Sequence, residues 1–210
     1  LVGSEMCIRD SFLYNTLDSI IWMSEAGEND QVVLMTSALA KLLRQSISND
    51  REQITVAEEI DYVRSYLTIQ KMRYKDKLEY TIDVEERILD VRIIKFVLQP
   101  LVENAIYHGL KYKETKGNLD IRGYRRGNRV CLVVADDGAG MEESELEHIL
   151  EKKEKKTKSN GVGVYNVQKR LQLYYGAEYG ISYISRKGEG TVATVTIPLD
   201  GGKSNEETGR

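Results

Sequence analysis

The sequence predicts an α+β fold in two parts: a helical segment over residues 12–75, then residues 77–199, where strands and helices build a mixed sheet covered by helices on one face. Three observations carry this. Apolar residues recur at steps of three and four as far as Tyr74, the period of a helix face. From Leu78 the pattern becomes alternation, Leu78-Tyr80-Ile82-Val84, the period of a half-covered strand. Later apolar runs are separated by turn residues, as hairpin strands are.

The elements follow in order. Phe12–Ala26 carries Leu13, Leu17, Ile20 and Ile21 at helical spacing, and Gly27-Glu28-Asn29-Asp30 breaks it, with Asn29 or Asp30 as cap of the next helix. Val32, Met35, Leu39, Leu42, Leu43 and Ile47 then repeat at helical steps until Ser48-Asn49-Asp50. Two such helices joined by a short turn predict an antiparallel hairpin whose apolar stripe needs a partner: its own domain or a second copy. Thr55 and Glu58 have the spacing of a capping box, and Ile60, Val63, Leu67 and Tyr74 share a face of the helix that follows. Lys77–Val84 reads as a strand, and Ile93–Gly109 as a long apolar helix with Pro100 inside it. Leu119–Tyr124 and Val130–Ala135 read as hairpin strands about Arg126-Gly127-Asn128. Ser144–Leu150 is a short helix, Lys152–Asn160 a mobile polar loop, and Val162–Tyr175 a helix entered through glycines. Ile181–Ser185 and Thr191–Leu199 close the sheet, and Gly201–Arg210 is a polar tail expected to be disordered.

Composition narrows the function. The chain has 210 residues, 41% hydrophobic and 30% charged, enough for one or two domains with a core. Its 30 basic and 33 acidic residues are interspersed, for a net charge of −3, so no basic stripe for nucleic acid forms. Cys7 and Cys131 are the only cysteines, and His108 and His148 the only histidines. Neither a disulfide framework nor a transition-metal cluster is expected from so few. No apolar run approaches the ~20 residues that span a bilayer, and Leu1–Asp10 lacks the order of a signal peptide. The missing initiator methionine suggests the soluble part of a longer protein.

Three segments carry candidate chemistry. In "LQPLVENAIYHGL", residues 98–110, Asn104 and His108 lie four apart, hence on one helix face. An amide oxygen suits Mg²⁺, and a histidine one turn on can reach a phosphate oxygen. In "VVADDGAGM", residues 133–141, a strand ends in Asp136 and Asp137 before Gly138 and Gly140. A carboxylate there can accept a hydrogen bond from an exocyclic amine such as that of adenine, and glycines admit a ligand close to the backbone. In "SNGVGVYNVQKRL", residues 159–171, Gly161 and Gly163 open a helix, an arrangement suited to phosphate. Alone, each segment is as well read as a helix end, a turn or a flexible join.

Together and in this order, with a closing "EGTVATVTIP", they resemble the ATP-binding GHKL (Bergerat) α/β sandwich of histidine kinases, gyrase, Hsp90 and MutL over residues 77–199. The resemblance implies ATP and Mg²⁺ as cofactors. It implies that Asn104 holds Mg²⁺, Asp136 recognises adenine, and Gly138 and Gly140 line the base pocket. Gly161 and Gly163 would open the phosphate-side lid, and Thr191 would support the base. Asp137 stands where many relatives have asparagine. Relatives that hydrolyse ATP carry a glutamate four residues before the asparagine; here that position is Pro100, which argues for a kinase over a gyrase-like or Hsp90-like ATPase. Glu103 could polarise a nucleophile or only orient Asn104. Tyr107 stands where some kinases have a lysine that touches phosphate, and reads as a solvent-facing residue.

"FLYNTLDSIIWM" and "YLTIQKMRY" extend the likeness to sensor histidine kinases of the LytS/YesM type over residues 12–199. That likeness implies a helical dimerisation hairpin, a homodimer, a response regulator receiver domain as partner, and a cytoplasmic position. The membrane is implied only through an absent N-terminal sensor, placing the parent protein in the bacterial inner membrane. In this family Pro-His precedes "FLYNTL", and the histidine takes the γ-phosphate; here Asp10 and Ser11 stand there. His108 belongs to the nucleotide site and His148 to a helix near the lid, so neither replaces it. Three readings stand: a nucleotide-binding pseudokinase, a serine acceptor at Ser11, or non-native residues 1–11, since "VGSEMCIRDS" resembles adapter-derived sequence read through as protein. The third is preferred. An anti-sigma-type serine kinase shares a helix like Asn104–Gly109 but lacks the hairpin.

Overall fold

The computed structural model describes residues 10–47, 51–110, 113, 115–147, 149–150 and 162–201. Helices α1 (Asp10–Glu25) and α2 (Asn29–Ile47) form the expected hairpin, turning where the amide of Glu28 donates to the Met23 carbonyl at 2.9 Å. The α1 helix begins at Asp10, so Asp10 and Ser11 lie in its first turn. Its buried face is Phe12, Thr16 and Met23, packed with Met35, Leu39 and Leu42 of α2. Two residues expected to share that face point outward instead: Leu17 is 42% and Ile21 54% exposed. With Tyr14 and Trp22 they make an apolar stripe facing solvent.

The capping box forms as its spacing predicts. Thr55 Oγ1 accepts from the Glu58 amide at 3.1 Å, and Glu58 Oε2 accepts from the Thr55 amide at 2.8 Å, which starts α3 (Val56–Tyr74). Ile60, Val63 and Leu67 are buried along it.

The five-stranded sheet runs β2-β4-β5-β7-β6, with β2 (Leu78–Val84), β4 (Gly117–Arg126), β5 (Arg129–Asp136), β6 (Gly180–Arg186) and β7 (Gly190–Pro198). The β2–β4 pair is parallel and the others antiparallel, so the sheet is mixed as expected. Leu119, Ile121, Leu132, Val134, Val195 and Ile197 are buried beneath α3, α4 (Leu98–Asn104) and α6 (Val162–Tyr175). The predicted bounds of α6 are those observed. The short helix α5 covers Glu143–Glu147, less than the expected Ser144–Leu150.

One element departs from expectation. Ile93–Gly109 is not a single helix. Arg92–Ile94 forms a short strand, β3, paired antiparallel with β1 (Gln53–Thr55), another strand the sequence reading lacked. The α4 helix starts only at Leu98, which puts Pro100 in its first turn, where a missing amide hydrogen costs nothing. Beyond Asn104 the helix widens into a π-turn, Ala105–Leu110. The start of α4 is held from outside: Glu59 of α3 is fully buried, and its carboxylate accepts from the amides of Phe96 (2.9 Å), Val97 (2.7 Å) and Leu98 (2.8 Å). The helical part and the sheet part thus share hydrogen-bonded structure. Ser48–Asp50, Lys152–Gly161, His148, and the tail beyond Gly201 lie outside the described residues.

Thr55→Ala removes one half of the capping box and should lower unfolding stability by about 1 kcal/mol. Denaturant titration should show a lower midpoint at an unchanged slope.

Candidate functional site

The end of β5 and the helix-facing sides of β6 and β7 floor a cavity of about 320 Å³, walled by α4, its π-turn and Gly140, Met141, Glu145 and Ile149. Asn104 and His108 both line it. Their expected common face survives the change from α to π backbone between them. His108 is exposed at the rim, and Asn104 is partly buried.

Asp136, the last residue of β5, lines the floor. Its Oδ1 accepts from the Gly138 amide at 2.9 Å, and the Thr191 amide also bonds the carboxylate. Burial pushes its pKa up to about 6, the neighbouring Asp137 charge adds to this, and the two amides and Lys113 oppose it. A carboxylate so held, with capacity to accept, is suited to a ligand donor inside the cavity.

Asp137 does different work. Its two oxygens accept from the backbone and side-chain amides of Asn118 at 2.8 and 2.6 Å, and Lys113 Nζ lies 2.7 Å away. These bonds staple the end of β5 to the start of β4. Desolvation raises its pKa, but Asn118 and Lys113 outweigh it and leave the group below the usual range.

The glycines divide by role. A side chain on Gly109 would strike the Asp136 carboxylate, and one on Gly138 would strike the Gly109 carbonyl. The Ala139 amide bonds that same Gly109 carbonyl at 3.0 Å. Gly138 therefore packs backbone on backbone and is absent from the cavity lining, contrary to expectation. Gly140 does line it, with φ +63 and its α-carbon against the Arg186 carbonyl, a place open only to glycine. Gly163 lies away from the lining, near Pro100, and Gly161 is outside the described residues. Thr191 lines the floor, its hydroxyl 2.9 Å from Ser185 Oγ, which also bonds the Gly190 carbonyl at 2.8 Å.

Glu103 is not part of the cavity lining. Its Oε1 accepts from Gln99 Nε2 at 2.8 Å, and its charge bears on Tyr62 and Tyr66 of α3. Burial pushes the Tyr62 hydroxyl up to about 12, with Glu103 adding. Tyr107 is partly buried and within electrostatic reach of Tyr66 and Tyr74, so it is not the solvent-facing residue expected. Ser11 is exposed on α1, outside the cavity; its neighbour Phe12 stacks on Tyr66 with ring centroids 5.2 Å apart.

Sequence reasoning missed Tyr183 of β6. Its hydroxyl is buried in the cavity lining with no hydrogen-bond partner among the described residues, and burial raises its pKa well above the ordinary value. The signal available was register: Tyr183 pairs Ala193, which pairs Val134, so all three face the cavity. Leu101, Met141 and Ile149 were missed as its apolar wall. Among the described residues no group of three or more His, Cys, Asp or Glu could hold a metal ion.

Comparison with known proteins agrees with this geometry. Residues 5–78 match the family described as histidine kinase, and residues 89–201 that described as histidine kinase-, DNA gyrase B-, and HSP90-like ATPase. The sensor histidine kinase YesM of Bacillus subtilis (strain 168) is 36% identical over 191 residues, which are 91% of this chain and 32% of YesM. The sensor protein LytS of Oceanobacillus iheyensis is 31% identical over 91% of this chain and 33% of its own. This chain thus spans about a third of the length of these relatives. The fold is that of the nucleotide-free catalytic domain of histidine kinase ThkA, at TM-score 0.55 and 19% identity over 70% of this chain and 96% of that one. The histidine kinase domain of the Erythrobacter litoralis EL346 blue-light activated kinase gives TM-score 0.53 at 16% identity over 85% and 81%. The chain is similar to sensor histidine kinases of the LytS/YesM type, and it belongs to the histidine kinase-, DNA gyrase B-, and HSP90-like ATPase family.

Proposed function

We propose that this chain is the cytoplasmic catalytic core of a two-component kinase that binds Mg-ATP and passes its γ-phosphoryl group to a histidine and then to a response regulator receiver domain. The observation that carries this reading is the half-buried Asp136 carboxylate on the cavity floor, which Gly140 and Tyr183 also line. Asp136 would accept from the exocyclic amine of adenine, and the unpartnered Tyr183 hydroxyl supplies a further polar contact for the base. Asn104 would hold Mg²⁺ through its amide oxygen, and His108 at the rim would meet phosphate. Gly161 and Gly163 are assigned to the phosphate side, and Glu103 to positioning Asn104 from the α3 side. Bound Mg-ATP would supply the phosphoryl group; the chain would supply orientation, and Ser11 stands on α1 at the position of the acceptor histidine, which this chain lacks.

Pro100 occupies the place of a water-activating glutamate, which favours transfer over hydrolysis. The exposed stripe of Tyr14, Leu17, Ile21 and Trp22 supports a homodimer through the hairpin. By likeness to sensor kinases the parent protein is assigned to the bacterial inner membrane through a sensor segment; among the described residues no helix is long and apolar enough to cross a membrane.

Ser11 in the acceptor position supports a second reading, a pseudokinase that binds nucleotide and signals without transfer. Serine lacks the nucleophilicity of imidazole at neutral pH. Labelled ATP separates the two. This chain should take no acid-labile label, and the double variant Asp10→Pro, Ser11→His should take it. Label on the unaltered chain contradicts the first expectation, and none on the double variant favours the pseudokinase.

Asp136→Asn should weaken Mg-ATP binding tenfold or more, about the loss of one charge-assisted hydrogen bond. The sign of the pH effect follows from the raised pKa. The folded chain holds the Asp136 proton up to about 6 against an ordinary 3.8. It therefore binds more protons than the unfolded chain in that window, and stability contributed there falls as pH rises from about 4 to about 6. Mg-ATP affinity should run the other way, weakening as pH falls through that pKa. Calorimetric titration should show that Asp136→Asn removes this part of the pH dependence.

A further inference from the structure

The start of α4 is built in a way that its own sequence does not explain. Val97, at the N-cap, offers no side-chain cap, and Phe96 sits at φ +59, in the left-handed region that a phenylalanine rarely adopts. Pro100 has no amide hydrogen. The amides of Phe96, Val97 and Leu98 all converge on the carboxylate of Glu59, 2.7–2.9 Å away. This glutamate belongs to another helix and is fully buried. Burial pushes its pKa above the ordinary value, while the three amides and nearby Arg170 pull the other way. Arg170 of α6 in turn donates to the Lys95 carbonyl at 2.9 Å, and the Tyr175 hydroxyl accepts from the Ile94 amide at 2.9 Å.

Residues 94–98 are thus clamped between α3 and α6. The α3 helix also carries the hairpin: Lys41 of α2 pairs with its Asp61 at 3.1 Å, and Phe12 of α1 stacks on its Tyr66. From Leu98 to Asn104 is six residues of helix, a rise of about 9 Å, with no flexible link between. A displacement of α3 therefore reaches Asn104 and the cavity wall through the Glu59 carboxylate.

We propose that Glu59 is a positioning residue: its contact with the 96–98 amides transmits the placement of the helical hairpin to Asn104 and sets nucleotide affinity. The inference rests on the Mg-ATP reading above. Thermodynamic reciprocity supplies its signature, because nucleotide binding must then stiffen α3 as well as α4.

The test uses the whole chain with Mg-ATP as probe, read by calorimetry and amide hydrogen exchange. Glu59→Gln keeps the size but presents an amide NH₂ among three N–H donors. It should weaken Mg-ATP binding about tenfold, within the usual range of coupling. It should also abolish the slowing of exchange that Mg-ATP produces over α3 in the wild type. A folded Glu59→Gln chain with wild-type affinity and intact protection of α3 overturns the inference and leaves the nucleotide reading standing. Failure of the wild type to bind Mg-ATP sinks both. Should the variant not fold, the wild type decides: slowed exchange at Phe96–Leu98 and along α3 upholds the coupling. Slowing confined to the cavity wall refutes it.

Discussion

Two glycines in contact set the geometry of this protein. Gly109, near the end of the π-turn, lies so close to the loop after β5 that a β-carbon on Gly138 would strike its carbonyl, while a β-carbon on Gly109 itself would strike the Asp136 carboxylate. The Ala139 amide bonds the Gly109 carbonyl at 3.0 Å and seals the contact. This approach seats the helix that carries Asn104 and His108 on the strand end that carries Asp136. An alanine at 138 would push the two apart, and overpacking against backbone is not absorbed by a close-packed interior. The cavity exists because the wall and the floor meet at that point and diverge from it.

The electrostatics follow from the same contact. Asp136 is closed off from water by Gly109 on one side, which raises its pKa to about 6, yet two backbone amides keep its oxygens oriented. Its neighbour Asp137, one residue on, faces the opposite side of the sheet edge and is spent on Asn118 and Lys113. Adjacent carboxylates therefore take opposite shifts, one turned into the cavity and one tying strands together. The consequence is a cavity with a half-buried carboxylate acceptor at its floor and two further polar side chains, Asn104 and His108, in its lining.

Much of this was legible in the sequence where the signal was local. The Thr55–Glu58 box, the bounds of α6 and the β4–β5 hairpin depend on residues within a few positions of one another. Asn104, His108, Asp136, Gly140 and Thr191 were singled out by a likeness in their order along the chain, and the fold brings them to one cavity. What escaped is non-local. Strands of three residues, β1 and β3, are too short to show a period. The start of α4 is set by Glu59, some 38 residues upstream of Val97, so an apolar run through Ile93–Val97 reads as helix until that carboxylate is known. Leu17 and Ile21 have core-like spacing and lie outside, because α1 is apolar on two faces and the inward one is Phe12, Thr16 and Met23, with Leu13 and Ile20 packed against the core. Gly138 was assigned to the ligand and serves the backbone instead.

The account turns on a nucleotide base meeting Asp136. A crystal structure of the chain with a non-hydrolysable ATP analogue and Mg²⁺ tests this most directly. The account predicts the adenine amino group in hydrogen-bond range of the Asp136 carboxylate, with the Tyr183 hydroxyl turned to the same ligand. An analogue bound elsewhere, or a base with its amine turned away from Asp136, would contradict it.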